Sequence, residues 1–325
     1  MPLGKLSVII ATCNRKSTLQ KALEAYRSQS AFEEILEILV ADDGSTDGTE
    51  SMVVEFKEQS SFSIRYLRQE HRGAAAARNL AMREARGELL LFTDDDVIPA
   101  STLVAEHLKW HRENPGPGVA VLGPVPWDEA VHPTPFMNWL ITGGPMLNLR
   151  ECAKRRELGF EFFATGNLSL KANFLRQHGA FDEDFRAYGY EDYELGFRLA
   201  NKGLRLLYNP DAVGYHHKVV SFADVCRRAH LVAEAERVLS TKEAGAYFSE
   251  RAARTRQSFG IRIGKFLAIR LAFALAPLKP LLDTQVPLPR FAYRALYYAF
   301  CKSCTTKDEL LRGERRKANP SLRSG

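Results

Sequence analysis

A chain of 325 residues with 45% hydrophobic and 26% charged residues has the make-up of an ordinary globular protein, able to bury one large core or two modest ones. Its net charge of +6 is unevenly placed: residues 262–325 hold thirteen Lys/Arg against four Asp/Glu, so residues 1–261 carry −3. The basic surplus sits in the tail and no nucleic-acid module with interleaved aromatics accompanies it, which argues against a nucleic-acid partner. The five scattered cysteines (Cys13, Cys152, Cys226, Cys301, Cys304) are odd in number, which argues against a disulfide framework and fits a reducing compartment.

The first apolar run, Leu6–Ala11, is too short for a signal peptide or a membrane span and reads as a strand. A helix-length stretch follows at Ser17–Ser28, then a strand at Ile35–Ala41 and a helix at Thr46–Gln59. The alternation continues through Ile64–Leu67, Ala74–Ala85, Leu89–Thr93, Ser101–Asn114 and Val119–Val125. Such alternation implies βαβ units: an α/β fold, with a Rossmann-like, mostly parallel sheet flanked by helices. "ATCNRKS" after the first strand lacks the GxGxxG of a dinucleotide fold, and "GAAAAR" (73–78) has one glycine and opens a helix. Pro115 to Pro145 is expected to be irregular. Glu191–Asn201 reads as a helix, closed by Gly203 and followed by a strand at Leu204–Tyr208. Beyond residue 222 the pattern is helical and basic.

That basic region contains "GKFLAIRLAFALAPLKPLL" (264–282), whose longest charge-free run is eight residues, Leu271 to Leu278, interrupted by Pro277 with Pro280 close behind. It cannot span a bilayer as a simple helix. Two readings stay open: an amphipathic segment lying on an anionic membrane, with the arginines and aromatics of "RFAYRALYYAF" (290–300) at the interface, or a packed helical subdomain. Cys301-x-x-Cys304 is a lone CxxC with no second pair nearby.

In such sheets ligands gather at the carboxyl ends of the strands. Three polar stretches lie there: "TCNR" (12–15), "DDGSTD" (42–47) and "TDDD" (93–96). Asp94, Asp95 and Asp96 follow a buried strand, and unpaired buried carboxylates cost several kcal/mol. A hard cation, Mn²⁺ or Mg²⁺, is the expected partner, held by Asp94 and Asp96; a solvated turn or helix cap is the plainer reading. Asp42 or Asp43 can hydrogen-bond a base or ribose while the turn also caps a helix through Ser45 and Asp47. Glu191 and Asp192 open a helix, where a carboxylate either caps the N-terminus or acts as a general base. Either His216 or His217 can complete the metal's coordination.

"LSVIIATCNR", "ILVADDGSTDGT", "GAAAARNLAMREARGELLLFTDDDVIP" and "GYEDYELGFRLANKG" resemble, in order and spacing, the signature blocks of glycosyltransferase family 2 across about residues 5–217. The resemblance implies a GT-A fold in residues 1–221 (a nucleotide-binding half of about 1–125 and an acceptor half of about 126–221) with a helical, basic extension at 222–325. It implies inverting transfer of a sugar from a UDP-, GDP- or dTDP-linked donor to a glycan or lipid-linked acceptor, in cell-envelope polysaccharide or glycolipid synthesis. Thr12, Asn14, Arg15, Asp43, Arg78, Asp94 and Asp95 then match nucleotide-sugar-binding positions. Asp94, Asp96 and His216 match metal positions, and Asp192 matches the base, with Glu191 beside it. Neither the QxxRW motif nor the membrane helices of processive synthases are present, which argues for single additions. The expected place is the cytoplasm, on the inner face of the membrane where 262–325 contacts it. The competing readings are a sugar nucleotidyltransferase, which would want a glycine-rich loop with a lysine near the N-terminus, and an inactive GT-A scaffold at the membrane.

Overall fold

The computed structural model describes residues 5–60, 63–256 and 274–302. The chain forms two compact units, one of Met1–Pro133 with Leu140–Val219 and one of Thr134–Trp139 with Val220–Gly325.

The first unit is built on an eight-stranded sheet in the order β3-β2-β1-β4-β8-β6-β9-β7. The strands are β1 (Leu6–Thr12), β2 (Ile35–Asp42), β3 (Ile64–Arg68), β4 (Leu89–Asp94), β6 (Val119–Leu122), β7 (Glu157–Leu158), β8 (Asn167–Lys171) and β9 (Arg205–Tyr208). A separate antiparallel pair joins β5 (Val97–Pro99) to β10 (Gly214–His216), with His216 opposite Val97. Strands β1 to β4 run parallel, β8 is antiparallel to both β4 and β6, and β6 is parallel to β9. The helices are α1 (Lys16–Tyr26), α2 (Thr49–Glu58), α3 (Ala74–Glu84), α4 (Leu103–Glu113), α5 (Pro135–Thr142), α6 (Leu149–Cys152), α7 (Ala172–His178) and α8 (Glu191–Ala200).

The apolar runs of the central strands are continuous because both sheet faces are covered. Ile9, Leu39, Leu90 and Phe92 point to one face, against α3, α7 and α8. Val8, Ile10, Ile38, Val40, Leu89 and Leu91 alternate to the other face, against α1, α2 and α4. The reading of an α/β sheet flanked by helices holds, and β1 to β4 fall where the pattern placed them. The strand expected over Val119–Val125 stops at Leu122. Gly123 still donates its N–H to the Asn167 carbonyl at 3.0 Å, and a Cβ there would come within 2.1 Å of the Ala212 carbonyl, so only glycine fits where the two backbones meet. Past β6, the irregular stretch expected up to Pro145 is broken by α5, because Pro135 occupies its first turn, where the missing N–H costs nothing.

A buried polar network ties α4 to β8. Ser169 bonds to both His107 and His111 of α4, at 2.8 and 2.9 Å, and the other nitrogen of His107 meets Asn167 at 2.9 Å. The Asn167 amide donates to the carbonyls of Ala212 (2.7 Å) and Pro124 (3.3 Å), fixing both loops that approach β8. Burial pushes His107 down to about 4 and His111 to about 3, so both imidazoles are neutral at physiological pH.

The second unit contains α9 (Phe222–Leu239), opened by a capping box between Ser221 and Asp224, and α10 (Glu243–Arg256). A 3₁₀ run, Ala276–Asp283, and a helix, Arg290–Tyr297, follow. Its core is aromatic: Phe136 packs on Trp139, Phe222 and Tyr293. No helix among the described residues is long and apolar enough to cross a membrane. The stretch 264–273 and Cys304 lie outside the described residues.

Candidate active site

The ends of β1, β2 and β4 bring the three polar stretches together. Asn14 adopts the left-handed backbone (φ 52°), which a short polar side chain tolerates. Its side-chain oxygen accepts the Thr46 N–H at 2.8 Å, and its own N–H donates to Ser45 Oγ at 2.8 Å. The turn after β1 is thereby tied to the turn after β2. Asp42 accepts from the Ser45 N–H (2.7 Å) and the Tyr66 hydroxyl (2.5 Å). Asp43 accepts from Gln69 and from the backbone N–H groups of Arg72 and Gly73, at 2.7 to 2.9 Å, and His71 approaches it at 2.8 Å. Both aspartates therefore order the turn. Beside them lies an open cavity of about 480 Å³ lined by Gly44, Arg68, Gln69, Glu70 and His71.

The cost of three adjacent carboxylates is met by cations and donors from distant parts of the chain. Asp94 receives Arg78 at 3.3 Å and keeps its side chain 41% exposed. Asp95 accepts from Thr12 Oγ1 at 2.8 Å and pairs with Arg15 at 3.4 Å. Burial pushes its carboxyl up to about 7, against the pull of Arg15. Asp96 pairs with Arg15, with His216 Nε2 at 3.1 Å and with Lys218 at 3.5 Å. Burial alone would raise its pKa, but the His216 hydrogen bond and the charges of His216, Arg15 and Lys218 hold it well below the usual carboxylate range. The sequence called for a bound cation; in this protein side-chain cations stand at the same carboxylates.

The two histidines separate. The ring of His216 reaches Asp96 and stacks on Trp127, centroids 5.0 Å apart. That of His217 turns to Asp128 (2.7 Å) and Lys21 (2.8 Å), and only its backbone N–H meets the Asp96 carbonyl.

Across from Asp94, Tyr190 enters α8 in the left-handed region (φ 68°) after Gly189 (φ 111°), which sets Glu191 and Asp192 on its first turn. Glu191 accepts from the Gly189 N–H at 3.1 Å and from Arg78 at 3.0 Å. Asp192 accepts from the Thr165 N–H (2.9 Å) and hydroxyl (2.8 Å), while Arg78 stands 3.9 Å away. Burial, helped by Glu191, pushes the Asp192 carboxyl up to about 7, although Arg78 and Thr165 oppose it. Burial also works against the charge on Arg78, yet Asp192, Glu191 and Asp94 outweigh it and keep the guanidinium ionised. One buried arginine thus joins the end of β4 to the start of α8.

Among the described residues no three His, Cys, Asp or Glu side chains form a ready metal cluster. The donor set nevertheless suits a divalent ion: two carboxylates and one imidazole, with room beside Asp94. Gly166 provides that room, since a Cβ there would come within 3.2 Å of Asp94 Oδ2. Three neighbours escaped the sequence reading: Thr165, Trp127 and Lys218. Only Lys218 left a local signal, as a cation directly after the histidine pair.

Residues 7–167 match the model of Glycosyl transferase family 2. An uncharacterized glycosyltransferase, YfnE of Bacillus subtilis, is 31% identical over 66% of this chain and 65% of its own length. Validoxylamine A glucosyltransferase of Streptomyces hygroscopicus subsp. limoneus is 32% identical over 64% of this chain and 51% of its own. The chain thus spans about half to two-thirds of the length of these curated relatives. Among solved structures, a mannosyltransferase from Pyrobaculum calidifontis in complex with GDP-Man and Mn²⁺ aligns with a TM-score of 0.58 and 22% identity, covering 91% of this chain and 87% of that one. With four signature blocks converging on one carboxylate-lined site inside this sheet, the chain belongs to glycosyltransferase family 2 and has the GT-A fold.

Proposed function

We propose that the protein moves a sugar, with inversion, from a nucleotide-sugar donor to an acceptor hydroxyl. The observation that carries this reading is the Arg78 network, which holds Asp192 within reach of the carboxylates at the end of β4. Asp94, Asp96 and His216 would hold Mn²⁺ or Mg²⁺, which when bound supplies positive charge against the donor's diphosphate. Arg15 and Lys218 can turn from Asp96 to that diphosphate, and the cavity beside Gly44 and His71 offers a seat for the base. Thr165 fixes the Asp192 carboxylate so that one oxygen can take the acceptor proton as the hydroxyl attacks. Holding donor and acceptor together makes the encounter effectively unimolecular. The exposed ring of Tyr188 and the strained Tyr190, four and two residues before this carboxylate in sequence, suit a sugar-bearing acceptor. The intact Asp192 argues against an inactive scaffold, and the glycine-free "ATCNRKS" argues against a nucleotidyltransferase.

A panel of UDP-, GDP-, dTDP- and CMP-sugars, assayed for thermal stabilisation with Mn²⁺, is expected to single out one nucleotide class by mass action. Stabilisation by none of them would overturn the donor reading. The acceptor is proposed to be a glycan or lipid-linked saccharide of the cell envelope, met at the inner face of the cytoplasmic membrane. The basic region 262–325 and the exposed Phe291 between arginines support membrane contact there. Co-sedimentation with anionic liposomes at low salt is the expected result; protein left in the supernatant would point to a soluble acceptor.

A further inference from the structure

Two thiols of the second unit stand side by side. Cys226 belongs to α9, and Cys301 to a π-helical turn, Tyr298–Lys302, that continues the helix Arg290–Tyr297. Their Sγ atoms are 2.8 Å apart across 75 residues of chain. Non-bonded heavy atoms settle near about 3.5–4.0 Å, so this pair is already well inside ordinary contact distance. Cys301 is fully buried, whereas Cys226 is partly exposed. The hydrogen bond with Cys301 lowers the Cys226 pKa against the effect of burial, and the charge of Lys279 lowers it further. Lys279 is held near by its position 3.1 Å over the ring of Phe300, next in sequence to Cys301. An accessible thiol with thiolate character beside a buried second thiol is the arrangement in which oxidation stops at a disulfide. The other described cysteines lack it: burial pushes Cys152 up to about 11, and burial with the nearby aspartates raises Cys13.

We propose that Cys226 and Cys301 form a reversible oxidation site, closed to a disulfide by a peroxide. The Cys226 thiolate attacks one peroxide oxygen; the O–O bond breaks, Cys226 becomes a sulfenic acid, and the released hydroxide takes up a proton to leave as water. The Cys301 sulfur then attacks the sulfenic sulfur. The S–S bond forms, the S–O bond breaks, and the hydroxyl departs as a second water with the Cys301 proton. Two thiols are oxidised and one peroxide is reduced. A dithiol reductant reverses the change. The product ties α9 to the turn that continues the helix Arg290–Tyr297 and closes the chain between them into a covalent loop.

The test is peptide mapping of the full chain after hydrogen peroxide treatment and alkylation of remaining thiols. The expected result is a Cys226–Cys301 linked peptide, lost on treatment with a dithiol and retained in Cys304→Ser. In Cys301→Ser, Cys226 is expected to pass to the sulfinic acid, because the second thiol is missing. A link between Cys301 and Cys304 instead, or a Cys226 that stays alkylatable when Cys13 is already oxidised, would overturn the proposal.

Discussion

Asp192→Asn is expected to lower turnover by roughly 10²- to 10⁴-fold while donor binding changes little, the signature of a lost general base. Asparagine fills the same space and still accepts from Thr165, but it cannot take a proton. The pH profile supplies a second readout. With the Asp192 carboxyl pushed up to about 7, the base is half protonated near neutrality. The sign is that of an acid that works as its anion: the rate climbs as pH rises through the folded-state pKa and falls below it. The wild type should therefore show a rising limb centred near pH 7, and Asp192→Asn should lose it. Steady-state kinetics across that range decide the matter. A variant with full turnover would return Asp192 to the role of a helix cap.

Arg78→Met is expected to destabilise the fold by about 3–5 kcal/mol, the cost of leaving buried charges without their partner. Arg78 is itself buried and pairs with Glu191 at 3.0 Å and Asp94 at 3.3 Å, with Asp192 close by. Methionine matches its stem but leaves all three carboxylates without this guanidinium. Urea unfolding monitored by tryptophan fluorescence measures the loss. A midpoint within error of the wild type would mean that water replaces the guanidinium, and that the link between β4 and α8 is dispensable. Arg78→Lys should recover only part of the stability, because an ammonium cannot fork between Glu191 and Asp94.

The sheet core was legible because both of its faces are covered: runs such as Leu89–Phe92 and Ile38–Ala41 are apolar throughout and bounded by polar turns. Strand β8 is not legible, because "NLSLK" carries buried Ser169 and Asn167, whose hydrogen bonds to His107 are invisible along the chain. The site divides the same way. Asp94, Asp96 and Asp192 announce themselves as carboxylates at element ends. Their partners do not, since Arg15 lies 81 residues from Asp96 and Arg78 lies 113 from Glu191. Sequence alone also left His216 and His217 equivalent; the antiparallel pairing of β10 with β5 turns the first toward Asp96 and leaves the second to Asp128.

In the proposed function, the carboxylates at the end of β4, paired with side-chain cations, form a donor site for a metal and a diphosphate. Calorimetric titration of a nucleoside diphosphate of the selected class, with and without Mn²⁺, measures that directly. The account predicts binding at least about tenfold tighter with the metal, a difference of about 1.4 kcal/mol. It also predicts that Asp96→Ala abolishes this gain without unfolding the protein. Equal affinity with and without Mn²⁺, or an undiminished metal effect in Asp96→Ala, would contradict it.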